Sequence, residues 1–447
     1  MTAAHPNDKP RNTPRIVIIG CGFAGLEATR ALRDAQVDIT LVDRTNHHLF
    51  QPLLYQVATA GLSAPAIAAP VRHLFRKQPN VTSLLGDVTS IDAASKKVML
   101  AGDVVLPYDH LIVAAGATHS YFGRDDWAPF APGLKTLDDA FEIRRRILLA
   151  FGAAEKETDL AKQAPWLNFV VIGGGPTGVE MAGTLAEIAH HTLAGEFRRI
   201  DPAKARIILL EGGARVLQAM PEILSERACE QLRKLGVDVR VQARVTGIDA
   251  SGVQVQPAAP DDAYTIETHC VIWAAGVAAS PLGKQLAQAI GASTDRAGRV
   301  VVEPDLSLAG HPEINVIGDL AAAKSYVAGH EPTVVPGVSP GAKQMGRAAA
   351  ANILCRLAGK PTTPFRYRDY GNLATIGRNA AVVDLVSPVG QLKFSGYFAW
   401  LFWLFAHIYF LIGFRNRIVV LIDWASAYWS KQRYARVITD IDTPPRL

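Results

Sequence analysis

"RIVIIGCGFAGLEATRAL", residues 15–32, decides how this chain begins to fold. Four apolar residues in a row, 16–19, read as a strand buried on both faces, the habit of a parallel sheet. Gly20, Gly22 and Gly25 follow at once. They permit a tight turn, close approach of a pyrophosphate to the backbone, and close packing of the next helix on the strand. That helix carries apolar positions at Leu26, Ala28 and Leu32, and its N-terminus offers unpaired N–H groups to phosphate. The next apolar stretch, "VDITLVD", ends in Asp43 about 20 residues on, where a carboxylate would hold a ribose 2′-hydroxyl. The reading is a dinucleotide-binding unit. A glycine turn packed for structural reasons alone is the plainer alternative.

"WLNFVVIGGGPTGVEMAGTLAEIA", residues 166–189, repeats the pattern with an apolar run at 169–172 and Gly173, Gly175 and Gly178. After an insertion comes "RIILLEGGARVL", a second buried strand, ending in Glu211. An acid there favours NAD(H), because a carboxylate repels a 2′-phosphate. Arg215 stands close enough in sequence to compete with that reading. Two fingerprints in one chain are far more specific than one, and two dinucleotides suggest a nicotinamide passing a hydride to a flavin. The economical assignment is FAD at the first site and NADH at the second.

Three further segments fit. "YDHLIVAAGATHS" and "CVIWAAGVAAS" each run from an apolar strand into a turn of small residues, which leaves room for a cofactor at Ala115, Gly116, Ala275 and Gly276. "INVIGDLA" delivers Asp319 past a glycine at a strand end.

Composition bounds the alternatives. The 447 residues carry 46 Lys+Arg against 41 Asp+Glu, a balance that does not point to nucleic acid, and no basic run is interleaved with aromatics. Such a length has room for two or three domains. Cys21, Cys229, Cys270 and Cys355 lie far apart with no CxxC and no histidine spacing for zinc, so we expect free thiols and no metal. The N-terminus, "MTAAHPNDKPRNTPR", has no apolar stretch that would direct export.

The paired fingerprints, the two small-residue turns and "VIGDLA" resemble the two-dinucleotide flavoprotein superfamily, the pyridine nucleotide-disulfide reductases. Within it, "HHLFQPLLYQVATAGL" (47–62), "GGGPTGVEMAGTLAE" and "HIYFLIGFRNRIVVLIDW" (407–424) are similar to the type II NADH dehydrogenases, over nearly all of the chain from about Arg15. The resemblance implies electron transfer from NADH through FAD to a membrane quinone, ubiquinone or menaquinone, without proton pumping. It implies an α/β fold of two Rossmann-like domains and a C-terminal membrane-anchoring region with amphipathic helices. The expected boundaries are 14–125 with 277–345 for FAD, 126–276 for NADH and 346–447 for quinone and membrane. A homodimer and a peripheral, monotopic place on the cytoplasmic face of the inner membrane are also implied.

The same resemblance brings Asp319 to the flavin's ribityl hydroxyls and Glu180, expected in the first turn of its helix, close to flavin and nicotinamide. The bland alternative for Glu180 is a carboxylate that complements a helix N-terminus. "PGVSPGAKQMGRAAAANILCRL" matches the family's AQxAxQ pattern at Gln344, a donor to quinone, while Pro340 replaces the first glutamine. "YRDYGNLATIGRNAAVV" reads as two strands, with Tyr370 a candidate on the quinone side. The stretch where a disulfide reductase carries its cysteine pair, 43–62, holds none, which disfavours a sulfide:quinone reductase. A membrane-docked NAD(H) sensor with a protein acceptor and a soluble ferredoxin reductase are the other readings.

Residues 394–414 contain no Lys, Arg, Asp or Glu. As one helix they would be about 31 Å long, enough to cross a bilayer. The aromatic load, Phe398, Trp400, Phe402, Trp403, Phe405, Tyr409 and Phe410, suits an interface better. A second helix follows, with Ile418, Leu421, Ile422, Ala425 and Trp429 along one side. Between 415 and 436, five cations (Arg415, Arg417, Lys431, Arg433, Arg436) face one acid, Asp423, as a helix lying on anionic headgroups requires.

Overall fold

The computed structural model describes residues 13–258, 263–387 and 390–438, so most of the polar N-terminal segment lies outside the described residues. The chain divides into two units. The first comprises the chain through His48, Ala69–Thr118 and Val277–Asp369; the second comprises Leu49–Ala68, His119–Gly276 and the chain from Tyr370.

The first unit is built on a six-stranded sheet in the order Ser307–Leu308, His311–Val316, His110–Val113, Arg15–Ile19, Asp38–Asp43, Val81–Leu85. All pairings are parallel except the first. Ile16, Ile18, Ile39, Leu41, Leu111 and Ile112 are buried, which is why these strands read as unbroken apolar runs. Each such side chain contributes roughly 1.5–3 kcal/mol on burial. Leu26, Ala28 and Leu32 of the helix that opens at Phe23 are buried with them. The helix Ser339–Leu357 packs on that helix and starts with proline in its first turn, where a missing N–H costs nothing.

The second unit repeats the scheme in a four-stranded parallel sheet, Val237–Arg240, Arg206–Leu210, Asn168–Ile172, Cys270–Trp273. Asn168–Ile172 is buried at every position. An antiparallel sheet of Gly371–Gly377, Ala380–Ser387 and Gly390–Ser395 follows, the first two being the strands expected from 367–383. Two helices end the described chain, Tyr397–Phe410 and Phe414–Ser430.

The long helix expected over 394–414 is not formed. Its first residues finish a strand, and the apolar stretch breaks at Leu411–Gly413, between helices. Fourteen helical residues reach about 21 Å, short of a bilayer's hydrocarbon. Among the described residues no helix is long and apolar enough to cross a membrane.

Candidate functional site

The two glycine turns are built alike. Gly20 and Gly173 have φ of +95° and +110°, a region side chains rarely adopt, and a Cβ on either would strike the small-residue turn at Ala114 or Ala274. A Cβ on Gly25 would overlap the Gly20 carbonyl, and one on Gly178 the Gly173 carbonyl. Gly22 and Gly175 alone among the six face open space. That opening lies at a helix N-terminus in both units, so an incoming phosphate can reach the backbone there.

The acids close each turn in the same way. Asp43 accepts the Cys21 N–H at 2.6 Å and the Thr45 N–H and hydroxyl at 2.7 and 2.8 Å. Glu211 accepts the Gly174 N–H and the Gly213 N–H, each at 2.6 Å. Each carboxylate is fixed at its strand end with capacity left for a ribose hydroxyl. Arg215 donates instead to the carbonyls of Met220 and Gln218, so it is turned away from the place a 2′-phosphate would need.

Within the first unit, the carbonyl of Gly116 receives the Ser280 N–H, and Asp319 sits in the turn after His311–Val316 with Oδ1 close to Gly337. Gln344 is half-buried and both ends of its amide are used: Nε2 donates to the Arg368 carbonyl and Oε1 accepts the Arg368 N–H, each at 2.9 Å. To serve a quinone it would have to release Arg368. Within the second unit, Gly276 accepts from the Ser120 N–H, and a Cβ there would press on Phe122. Ala275 sits where a Cβ on Gly173 would strike. Tyr370 is half exposed at the head of the C-terminal sheet.

Glu180 is the fifth residue of the helix Pro176–Glu187, one turn deeper than expected. Dipole effects fade within the first turn, so complementing the helix end does not explain it. Its carboxyl is buried and accepts only a long hydrogen bond from the Thr375 N–H, at 3.4 Å, while the nearby Trp403 indole makes no well-formed bond. Burial therefore raises its pKa to about 8, against smaller opposing effects of Thr375 and Trp403. A Cβ on Gly183 would overlap the Ile376 carbonyl, which shows how closely helix and sheet approach around this acid.

Beside it lies a mostly apolar cavity of about 300 Å³, lined among others by Tyr55, Gln56, Thr184, Trp400, Trp403 and Trp424. Glu187 and Arg433 close one side with a buried ion pair at 2.9 Å; Glu187 also takes the Arg378 N–H, and Arg433 reaches the Thr59 carbonyl. Arg436 pairs with Glu196. Arg417 donates to the carbonyls of Leu411 and Tyr409 at 2.8 and 2.9 Å, so three of the five cations expected to meet headgroups are engaged inside the chain. Trp403, read as an interfacial aromatic, is 2 % exposed and stacks on buried His407 at 4.0 Å between ring centroids. Burial lowers His407 to about 4, with the Trp403 carbonyl opposing.

The outer face differs. Phe398, Leu401, Phe405 and Tyr409 are exposed while Ala399, Trp403 and Ala406 are buried, and Ile418, Ile422 and Trp429 continue the exposed face on the last helix. Phe398 and Trp429 are 76 % and 80 % exposed.

All four cysteines are free. Cys21 is a filler of the first turn, its thiol pushed far up by burial. Among the described residues no group of acids, histidines and cysteines could hold a metal.

Sequence reasoning missed Tyr55, Gln56, Trp424, Glu187 and Arg433. Tyr55 and Gln56 stood inside the quoted "LLYQVATAGL", but the group that fixes Gln56, Trp424, lies 368 residues away, where no spacing rule reaches.

Comparison with known proteins adds independent evidence. The profile of the pyridine nucleotide-disulphide oxidoreductases matches residues 14–347, and that of the NDH2 C-terminal domain matches residues 370–430. The type II NADH:quinone oxidoreductase Ndh of Mycobacterium tuberculosis is 48% identical over 441 residues, covering 97% of this chain and 92% of that protein. A second from the same organism, NdhA, is 48% identical over 95% of this chain and 89% of its own. Among solved structures, NDH2 of Plasmodium falciparum in complex with NADH superposes with a TM-score of 0.84 at 21% identity, over 96% of this chain and 100% of that one. The sulfide:quinone oxidoreductase of Aquifex aeolicus gives 0.72 at 18% identity, over 94% and 96%. At such identities the structural likeness is one of fold.

Proposed function

Because this chain belongs to the pyridine nucleotide-disulphide oxidoreductases and, within them, to the type II NADH:quinone oxidoreductases, we infer how its own residues serve NADH oxidation by quinone. The chain is a non-proton-pumping NADH dehydrogenase that uses FAD and feeds a quinone. The observation that carries the residue assignment is the duplicated cradle: one open glycine, one acid fixed on the turn, in each unit.

Both cradles fit a dinucleotide. In the first, Gly20, Gly22, Gly25 and Asp43, with Ala115, Gly116 and Asp319, would hold FAD. In the second, Gly173, Gly175, Gly178 and Glu211, with Ala275 and Gly276, would hold NADH. Bound FAD supplies the redox step, taking a hydride from NADH and yielding two electrons to quinone. The protein's part is position and proton supply. Glu180, with its pKa near 8, keeps a proton at neutral pH against the wall of the apolar cavity, where we place the quinone head. The NADH-binding fingerprint and this proton reserve stand on one helix, Pro176–Glu187. Gln344 would orient the quinone only after yielding Arg368.

The exposed aromatic face of the two last helices supports attachment to a membrane surface, with Arg415 and Lys431 left for anionic headgroups. We place the enzyme on the cytoplasmic face, the side that supplies NADH. The family resemblance adds a homodimer, which sedimentation of the solubilised protein tests. A sulfide-oxidising relative has no support in four separate free thiols.

The test is anaerobic NADH consumption by purified, detergent-solubilised protein with and without a short-chain ubiquinone, following flavin absorbance. Flavin bleached by NADH and reoxidised with turnover on quinone addition is expected. Bleaching without reoxidation would redirect the search to a protein acceptor.

A further inference from the structure

The cavity of the second unit contains a buried donor whose proton no described residue receives. Trp424 can only donate, and its indole N–H meets Gln56 Oε1 at 2.7 Å. This contact settles which end of the amide is which. Gln56 Nε2 then faces Tyr55 and donates to the phenolic oxygen at 2.9 Å. The Tyr55 oxygen is an acceptor on that side, so its own O–H must leave on another.

Tyr55 is 4 % exposed and lines the cavity, and among the described residues its hydroxyl has Gln56 as partner and no acceptor. A buried polar group left unsatisfied destabilises the fold, so native proteins rarely keep one without use. Burial holds the phenol well above its ordinary pKa, and it remains a donor at any physiological pH.

We propose that Tyr55, oriented by Gln56 and Trp424, donates the hydrogen bond that seats a quinone carbonyl in this cavity. The proposal rests on the reading that the cavity takes the quinone. A carbonyl oxygen is an acceptor without a proton of its own, and it completes what the phenol lacks. As the ring accepts electrons that oxygen gains negative charge, so the bond strengthens during reduction. Tyr55 touches substrate, whereas Gln56 and Trp424 act through it as positioning residues.

Three variants of the full-length holoenzyme, assayed with NADH and short-chain ubiquinone, test this. Flavin content and the rate at which NADH bleaches the flavin report whether each is intact. Y55F removes one oxygen and keeps the ring; kcat/KM for quinone should fall at least tenfold, and kcat should fall as well as KM rise. W424F leaves the phenol in place but frees Gln56 to turn, and should cost about threefold to tenfold, mostly in KM. A425F fills the cavity from the last helix and should abolish quinone turnover. If A425F reduces quinone like the wild type, the cavity itself is the wrong place for quinone. If A425F is inactive while Y55F keeps the wild-type kcat/KM, the cavity stands and the donor assignment is overturned. Should Y55F lose flavin, W424F decides alone, and an unchanged KM for quinone in it counts against the proposal.

Discussion

A carboxyl that keeps its proton to about pH 8 makes stability depend on pH in a definite direction. Below pH 4.5, the ordinary value for glutamate, Glu180 is protonated in folded and unfolded chains alike. Between 4.5 and about 8 the unfolded chain has released the proton and the folded one has not, so each unit of pH costs up to about 1.4 kcal/mol of stability. E180Q removes that slope. The melting temperature of the wild type should therefore fall relative to E180Q between pH 5 and 8 at fixed ionic strength, and a constant difference would mean the carboxylate is ionised in the fold. Quinone turnover in E180Q should drop tenfold or more, on the scale of a lost proton donor. The glycine positions give a second test. A methyl on Gly175 meets no protein atom, so G175A should melt like the wild type and retain FAD, yet bind NADH at least tenfold more weakly, as read by quenching of NADH fluorescence. Both acids and all six glycines were legible because strand and glycine turn are contiguous and the acid ends the next strand, 22 residues beyond Cys21 in the first unit and 37 beyond Gly174, across an insertion, in the second. The resemblance singled out Glu180, but its burial was not legible, because it depends on Thr375 and Trp403, far along the chain.

The helix Pro176–Glu187, proposed to bind NADH at its start, is braced at its end. Its last residue, Glu187, meets Arg433, which arrives from beyond the final helix, and the pair is buried. R433M would leave Glu187 without its ion partner in an apolar setting, at a cost of about 3–5 kcal/mol, whereas R433M with E187M should recover most of the loss. Urea unfolding of the three variants checks the cycle, and equal losses in single and double variants would mean the pair contributes nothing beyond packing. The charge count from sequence treated Arg433 as one more headgroup contact. Composition counts a cation but does not say which way it faces. The aromatic stretch misled in the same way, because a run hydrophobic on all sides hides which face is inside. The structure separates Trp403, in the core, from Phe398, Phe405 and Trp429 outside. Truncation at Phe394 would thus remove the cavity wall together with the exposed face, and point variants separate them. F398S with F405S and W429S should lower partition into anionic vesicles by at least a hundredfold, since each exposed aromatic buries enough area to contribute roughly 1.5–3 kcal/mol. Bleaching of the flavin by NADH should be untouched, and retained vesicle binding would move the attachment elsewhere.

At the scale of the whole chain, the two parallel sheets were legible as a repeated fingerprint, and the alternation of apolar strands with glycine turns fixes their class. The interleaving of units was less so. Leu49–Ala68, which lies in sequence between segments of the first unit, belongs with the second, and it brings Tyr55 and Gln56 to Trp424. A segment of 20 residues changes allegiance without any break in composition, so its place depends on packing that only the fold reveals. The same architecture bears on energy conversion. The reaction NADH + H⁺ + Q → NAD⁺ + QH₂ consumes one proton on the side where NADH binds, and nothing in it moves charge across a bilayer. Pumping would need a polar path enclosed by spanning helices, and no described helix is long and apolar enough to be one. In sealed vesicles carrying the enzyme outside, a trapped pH dye should report no acidification or alkalinisation of the lumen during NADH-driven quinone reduction, and a protonophore should leave the rate unchanged. Acceleration by the protonophore would mean that turnover works against a gradient it has built, which no described helix could build alone and which would require a partner in the membrane.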